Sequence, residues 1–235
     1  MINVKKNKIE SRLEDAREEL AGLKKFPDSE FVGIIKDLGF RCELCARCCT
    51  NEFNDHVFLL DADLEIIRQI DPDAVTPAPD PEFCDQKGNF YVSGYALRTK
   101  PDGSCVFLEN KRCKIYDNRP TICRVYPYML HQEADEFGKV DWRQISGLNE
   151  HGRYNSKIED SECEAIARET RAYEEAYLKQ MIDFFEAVKT HFRKNSLKHV
   201  QRIYDRKMRE FLKGECELEV FGYCKGGFEK QKLKP

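Results

Sequence analysis

Apolar residues recur every three or four positions along residues 5–25, where Ile9, Leu13, Ala16, Leu20 and Leu23 stand among Lys, Arg and Glu. The stripe predicts an amphipathic helix, too short for an independent coiled coil and therefore expected to dock on the rest of the chain. Phe26-Pro27-Asp28 interrupts it. A second helix is expected through Phe31, Ile34, Ile35 and Leu38, capped by Asp28 or Ser29 and ended by Gly39. Val57–Leu60 has strand character, and Asp61-Ala62-Asp63-Leu64 opens a helix through Ile66, Ile67 and Ile70 that Asp71-Pro72 stops. Residues 73–86, with Pro77, Pro79 and Pro81, read as an extended linker or loop. Strand-like pieces follow at Phe90–Val92, Tyr95–Arg98 and Cys105–Leu108, and residues 132–160 are polar and irregular apart from Val140–Ile145. From the Ser161/Glu164 capping box a long helix carries Ile166, Tyr173, Tyr177, Met181, Phe185, Val188 and Phe192 on one stripe. Asn195-Ser196 breaks it, and a further helix with Val200, Ile203, Tyr204, Met208, Phe211 and Leu212 stops before Gly214.

This pattern predicts an α+β fold with an irregular, metal-centred middle of short strands, flanked by N-terminal helices and a C-terminal antiparallel helical hairpin. The expected division is helices over 1–39, a cysteine-cluster domain over 40–165, the hairpin over 161–213 and a cysteine-containing tail over 214–235. Residues 40–130 hold too few long apolar runs for a conventional sheet core, so metal ligation is expected to supply part of their stability.

Composition adds two constraints. Charged residues make up 34% of the chain but cancel to a net charge of -3, which gives no case for nucleic acid or an anionic membrane as the main partner. The other is the presence of 11 cysteines among 235 residues. The N-terminus Met1-Ile2-Asn3-Val4-Lys5-Lys6 has no apolar signal region, and no apolar stretch is long enough to span a membrane. A cytoplasmic location is expected, where thiols stay reduced and clustered cysteines bind metal or do redox chemistry; the odd cysteine count also fits a disulfide framework poorly.

The cysteines fall in two blocks. Cys42-x2-Cys45-x2-Cys48-Cys49 has successive two-residue gaps that turn thiolates back onto one metal, with intervening N–H groups available to the sulfurs. The spacing matches the first three ligands of a ferredoxin-type cluster, whereas zinc more often takes one close pair from each of two places. Adjacent Cys48 and Cys49, in an extended segment, would point apart and serve two metals or bracket one larger cluster. The second block runs Cys105-x7-Cys113-x2-Tyr116-x2-Arg119-Pro120-x2-Cys123-Arg124-x-Tyr126-Pro127. Arg119 and Arg124 are placed to offset the negative charge of a thiolate-bound metal and to donate to sulfur.

These motifs resemble the YkgJ-like cysteine-cluster family, known as zinc- or iron-chelating domains. That family carries C-x2-C-x2-C-C, then a C-x-F-L segment, here Cys105-Val106-Phe107-Leu108, and a C-x-I-Y-x2-R-P-x2-C-R-x-Y/F-P segment, here Cys113 through Pro127. The resemblance covers about residues 40–165. Two positions depart from it: the family has glycine after its second cysteine where this chain has Ala46, and its eighth cysteine stands before x-Gly, where the candidate here is Cys163 in Glu162-Cys163-Glu164. Cys163 is either that ligand or a buried cysteine near the start of a helix.

The resemblance and spacing together give Cys42, Cys45, Cys48, Cys49, Cys105, Cys113, Cys123 and Cys163 as candidate metal ligands, with Arg119 and Arg124 beside the cofactor. The cofactor expected is an iron–sulfur cluster of the four-iron type, or zinc. Outside the pattern, Cys84 reads as a free loop thiol, and Cys216 and Cys224 as tail cysteines able to fold back. Of the histidines, His56 is the best spare ligand, though a polar surface role is favoured; His131, His151, His191 and His199 show no ligand spacing. No phosphate loop, nucleophile elbow or dinucleotide fingerprint is present. Three function classes follow: a metal-binding module, a protein-modifying or redox enzyme by analogy with flagellin lysine-N-methylase, which has a similar cysteine block, and a metal-trafficking or assembly factor passing metal to a protein client.

Overall fold

The computed structural model describes residues 8–52, 55–128, 133–134, 140–141 and 150–235. Among these the helices are α1 (Lys8–Lys25), α2 (Asp28–Leu38), α3 (Asp61–Ile70), α4 (Thr121–Val125), α5 (Asp160–Lys194) and α6 (Gln201–Leu212). The strands are β1 (Phe58–Leu59), β2 (Val75–Pro77), β3 (Phe83–Cys84), β4 (Phe90–Val92), β5 (Tyr95–Leu97), β6 (Leu108–Glu109), β7 (Arg112–Cys113), β8 (Glu133–Ala134), β9 (Val140–Asp141), β10 (Leu218–Cys224) and β11 (Gly227–Leu233). The mixture is α+β. It divides into two compact units, a sheet unit of Met1–Glu18, Phe58–Ala96 and Lys179–Pro235 and a cysteine unit of Glu19–Val57 and Leu97–Leu178. Among the described residues no helix is long and apolar enough to cross a membrane.

The sheet unit is built on four strands in the order β11-β10-β4-β3. β10 is its spine, antiparallel to β11 and parallel to β4. Leu218, Val220 and Tyr223 of β10 are buried, and Lys225-Gly226, both at positive φ, form the two-residue turn into β11. The tail is therefore a hairpin completing a sheet, where the sequence reading has only a cysteine-containing segment. The proline-rich stretch likewise contributes β2 and β3, because its prolines end or precede short strands rather than interrupt long ones. Phe83 is fully buried, with Phe184, Phe185 and Phe192 of α5 at ring distances of 6.2, 6.1 and 6.4 Å.

Cys84, expected as a free loop thiol, is fully buried in β3, where burial pushes its thiol up to about 12. α5 and α6 occur where two helices are expected. However, α6 packs chiefly on β3, where the Val200 N–H donates to Cys84 O at 2.9 Å, and its Tyr204 ring lies 5.3 Å from Phe90. The sheet, rather than a helix-on-helix seam, holds it.

The cysteine unit has its own apolar core: Leu23 of α1, Phe31 and Ile35 of α2, Tyr128, Ile158, and Cys163, Ala167 and Leu178 of α5. α2 begins at Asp28 after Pro27, with no side-chain cap, and ends at Gly39 in the left-handed region, as the glycine predicts. A Cβ at Gly39 would collide with the backbone of Ser156, so glycine is required both for φ and for space. The expected strand piece over Val140–Ile145 is seen as β9 at Val140–Asp141, paired with β8; its later residues, and His131, lie outside the described residues.

Candidate metal centre

Beyond Gly39 the chain is pinned before it reaches the first cysteine. The Phe40 N–H donates to the Tyr128 hydroxyl at 3.1 Å, Arg41 bridges Arg153, and the Arg41 guanidinium binds both carboxylate oxygens of Glu162. The following loop takes left-handed conformations at Leu44 and Ala46, with φ of 53° and 65°. Ala46 thus occupies a region that glycine, which the resemblance implies at this position, enters without steric cost. The loop closes into a single 3-10 turn at Arg47–Cys49, braced by Arg47 on Glu52 and on the Glu150 carbonyl.

That turn changes the expectation for Cys48 and Cys49. In a 3-10 turn adjacent side chains stand about 120° apart rather than on the opposite faces of an extended segment, and both cysteines line the same cavity. Hydrogen bonding with Cys48 and then burial push the Cys49 thiol up.

The second block meets the first through the backbone. The Cys105 N–H donates to Cys49 O at 2.8 Å, Thr50 bridges Ser104, and the Asn51 N–H donates to Gly103 O at 3.0 Å. β6 and β7 then form a hairpin across Asn110-Lys111, both at positive φ, which sets Cys113 opposite Leu108. Pro120 precedes the short helix α4, which carries Cys123.

Cys42, Cys48, Cys49, Cys105, Cys113 and Cys123 thus line one cavity of about 530 Å³, together with Arg119 and Arg124. Cys45 is exposed on the same loop but does not line it. Cys163 is fully buried in the apolar core instead, its sulfur 4.0 Å from Ile158 O, which supports the reading of a core cysteine. Cys84, Cys216 and Cys224 belong to the sheet unit.

Three of the cavity cysteines accept a backbone N–H from two residues further on: Cys42 from Leu44 at 3.4 Å, Cys105 from Phe107 and Cys113 from Ile115. Such donors favour the thiolate. Burial works against them, pushing Cys105 up to about 11 and raising Cys113, on which the Arg119 charge has the opposite, lowering effect. Arg119 lies over the Tyr116 ring at 4.0 Å and donates to Tyr116 O at 3.0 Å. Arg124 is held by Glu169 at 2.7 Å and by Thr121 Oγ1 at 3.1 Å.

Among the described residues no three cysteine, histidine or acidic side chains close to metal-holding geometry. Six thiols on one cavity, with N–H donors turned to three of their sulfurs, nevertheless fit a thiophilic metal in donor type and number. Where a metal binds thiolates, convergence of the sulfurs comes with binding, since ligation and ordering are one free-energy change.

One feature of the site has no clear sequence signal, the 3-10 turn at Cys48 and Cys49; His56, the best spare ligand by its place after the first block, lines the same cavity. The model of the CxxCxxCC family, described as a putative zinc- or iron-chelating domain, matches residues 41–196. No curated protein and no solved structure matches the chain.

Proposed function

From its membership of the CxxCxxCC family, we propose that this metal-binding chain holds an iron–sulfur cluster, with zinc as the alternative occupant, through the thiolates of Cys42, Cys45, Cys48, Cys49, Cys105, Cys113 and Cys123. The observation that carries the reading is the meeting of both cysteine blocks on one cavity, joined by the Cys105 N–H to Cys49 O bond. Iron is favoured by the successive two-residue gaps of the first block and by the N–H donors at three sulfurs, which are a principal means of tuning cluster potential. A bound cluster supplies one-electron chemistry, and bound zinc a structural crosslink. Around it, Leu44, Phe107 and Ile115 donate to sulfur, Arg119 brings positive charge to Cys113, and Arg124 fixes α4 through Glu169.

The test is the visible spectrum of protein purified without oxygen, read beside its metal content. Brown protein with broad absorption in the violet, bleached by dithionite and accompanied by iron and acid-labile sulfide, is the expected result. Colourless protein with stoichiometric zinc reassigns the occupant, and protein without metal after reconstitution with either overturns the reading.

A further inference from the structure

The expected surface role does not describe His56. Its ring is half-buried, and among the described residues it is the only histidine lining the thiol cavity. It also lines a smaller cavity of about 20 Å³ beside Cys48, Cys49 and Cys105. The Nδ1 atom is buried and has no hydrogen-bond partner among the described residues. Buried ring nitrogens are normally satisfied, so an orphaned one beside several thiols calls for a partner of another kind.

Its position is set by the backbone on both sides. The Leu97 N–H donates to Val57 O at 2.9 Å, immediately after His56. On the other flank Cys49 is joined to Cys105, and Cys105 in turn bridges Thr99. Cys49 and His56 are therefore carried to the same segment, Leu97–Cys105, and held there.

We infer that His56 is the nitrogen ligand of the thiolate metal centre, giving it a mixed cysteine–histidine donor set. This rests on the metal-centre reading above. Neutral imidazole is a borderline donor that suits both zinc and iron, and it satisfies the orphaned nitrogen without adding another negative charge to a crowded thiolate site. In zinc proteins such a set is an ordinary structural site, and in iron–sulfur centres exchanging thiolate for imidazole raises the reduction potential. The rival occupant is a water molecule, since the smaller cavity exceeds the roughly 10–15 Å³ a water needs.

X-ray absorption at the edge of the metal found in the anaerobically purified chain decides between them. The expected spectrum contains a nitrogen shell, at about 2.0–2.1 Å if the metal is zinc, beside sulfur at about 2.3 Å. His56→Ala should lose the nitrogen shell and weaken metal retention by roughly tenfold or more, and His56→Cys should restore retention with sulfur only. A sulfur-only shell in the unmodified protein overturns the inference while leaving the metal-centre reading intact. A nitrogen shell that survives in His56→Ala overturns it too, and a chain that binds no metal overturns both. If His56→Ala does not fold, His56→Gln takes its place in the same comparison.

Discussion

In the sheet unit, Cys84 is sealed in β3 and packs as a small apolar side chain, and Cys216 and Cys224 lie half-buried at either end of a segment leading through β10. In the cysteine unit, Cys42 and Cys45 are exposed, and Cys48, Cys49, Cys105, Cys113 and Cys123 are half-buried around a cavity. One side chain thus has two fates. Aromatic packing and strand pairing organise the first unit, as the Phe83 contacts illustrate. In the second, helices α2 and α5 share an apolar core, but the loops bearing the cysteines have hydrogen bonds and short turns in its place. The lesson is that cysteine enrichment marks a site only where the surrounding backbone leaves sulfur uncovered and supplies it with donors.

The contrast can be broken most severely by removing metal. Chelation under reducing conditions should make residues 42–57 and 97–125 the first sites of proteolysis while the sheet unit resists, because only the former depend on ligation for cohesion. Identical digestion patterns before and after chelation would contradict this. A large effect confined to the other unit is expected from Phe83→Ala. Deleting that buried ring should cost about 3–5 kcal/mol in denaturant unfolding, with metal content per folded chain unchanged; a parallel loss of metal would show that the units do not keep their roles separate.

Much of this division is legible in the sequence. The stripe of α1, the Gly39 stop, β1 and the Asp61 start of α3 follow from periodicity and end signals acting over a few residues. Both cysteine blocks are legible as motifs for the same reason, their spacing being local. The β10–β11 hairpin is less so, since β10 gains its central place by pairing in parallel with β4, more than a hundred residues earlier, and Gly222 weakens its strand signal. The placing of Cys48 and Cys49 is similarly hard to read, because adjacent side chains take opposite faces in a strand but stand about 120° apart in a 3-10 turn. The partner that decides between them, the 103–105 segment, lies in the other block. Cys163 fits both ligand and core by spacing, and it is its burial beside Leu23, Phe31 and Ile35 that favours the core.

A smaller effect sharpens the account of the first loop. Ala46 sits at φ 65°, so Ala46→Gly should relieve left-handed strain of about 1 kcal/mol, seen as a higher midpoint for metal release by chelator. A lower midpoint would mean that the alanine methyl contributes packing that outweighs the strain.

Metal is expected to reside with the loop cysteines of the cysteine unit and not with those of the sheet unit. Metal-to-protein ratios across the eleven single Cys→Ser variants test it most directly, serine being a harder and far less acidic ligand of the same shape. Ratios should fall at Cys42, Cys45, Cys48, Cys49, Cys105, Cys113 and Cys123 and stay near normal at Cys84, Cys216 and Cys224. At Cys163 the ratio should hold while stability drops, because a hydroxyl replaces sulfur in the apolar core. Full retention at Cys49 and Cys105, whose backbones join the two blocks, or loss at Cys216 and Cys224, would contradict the account.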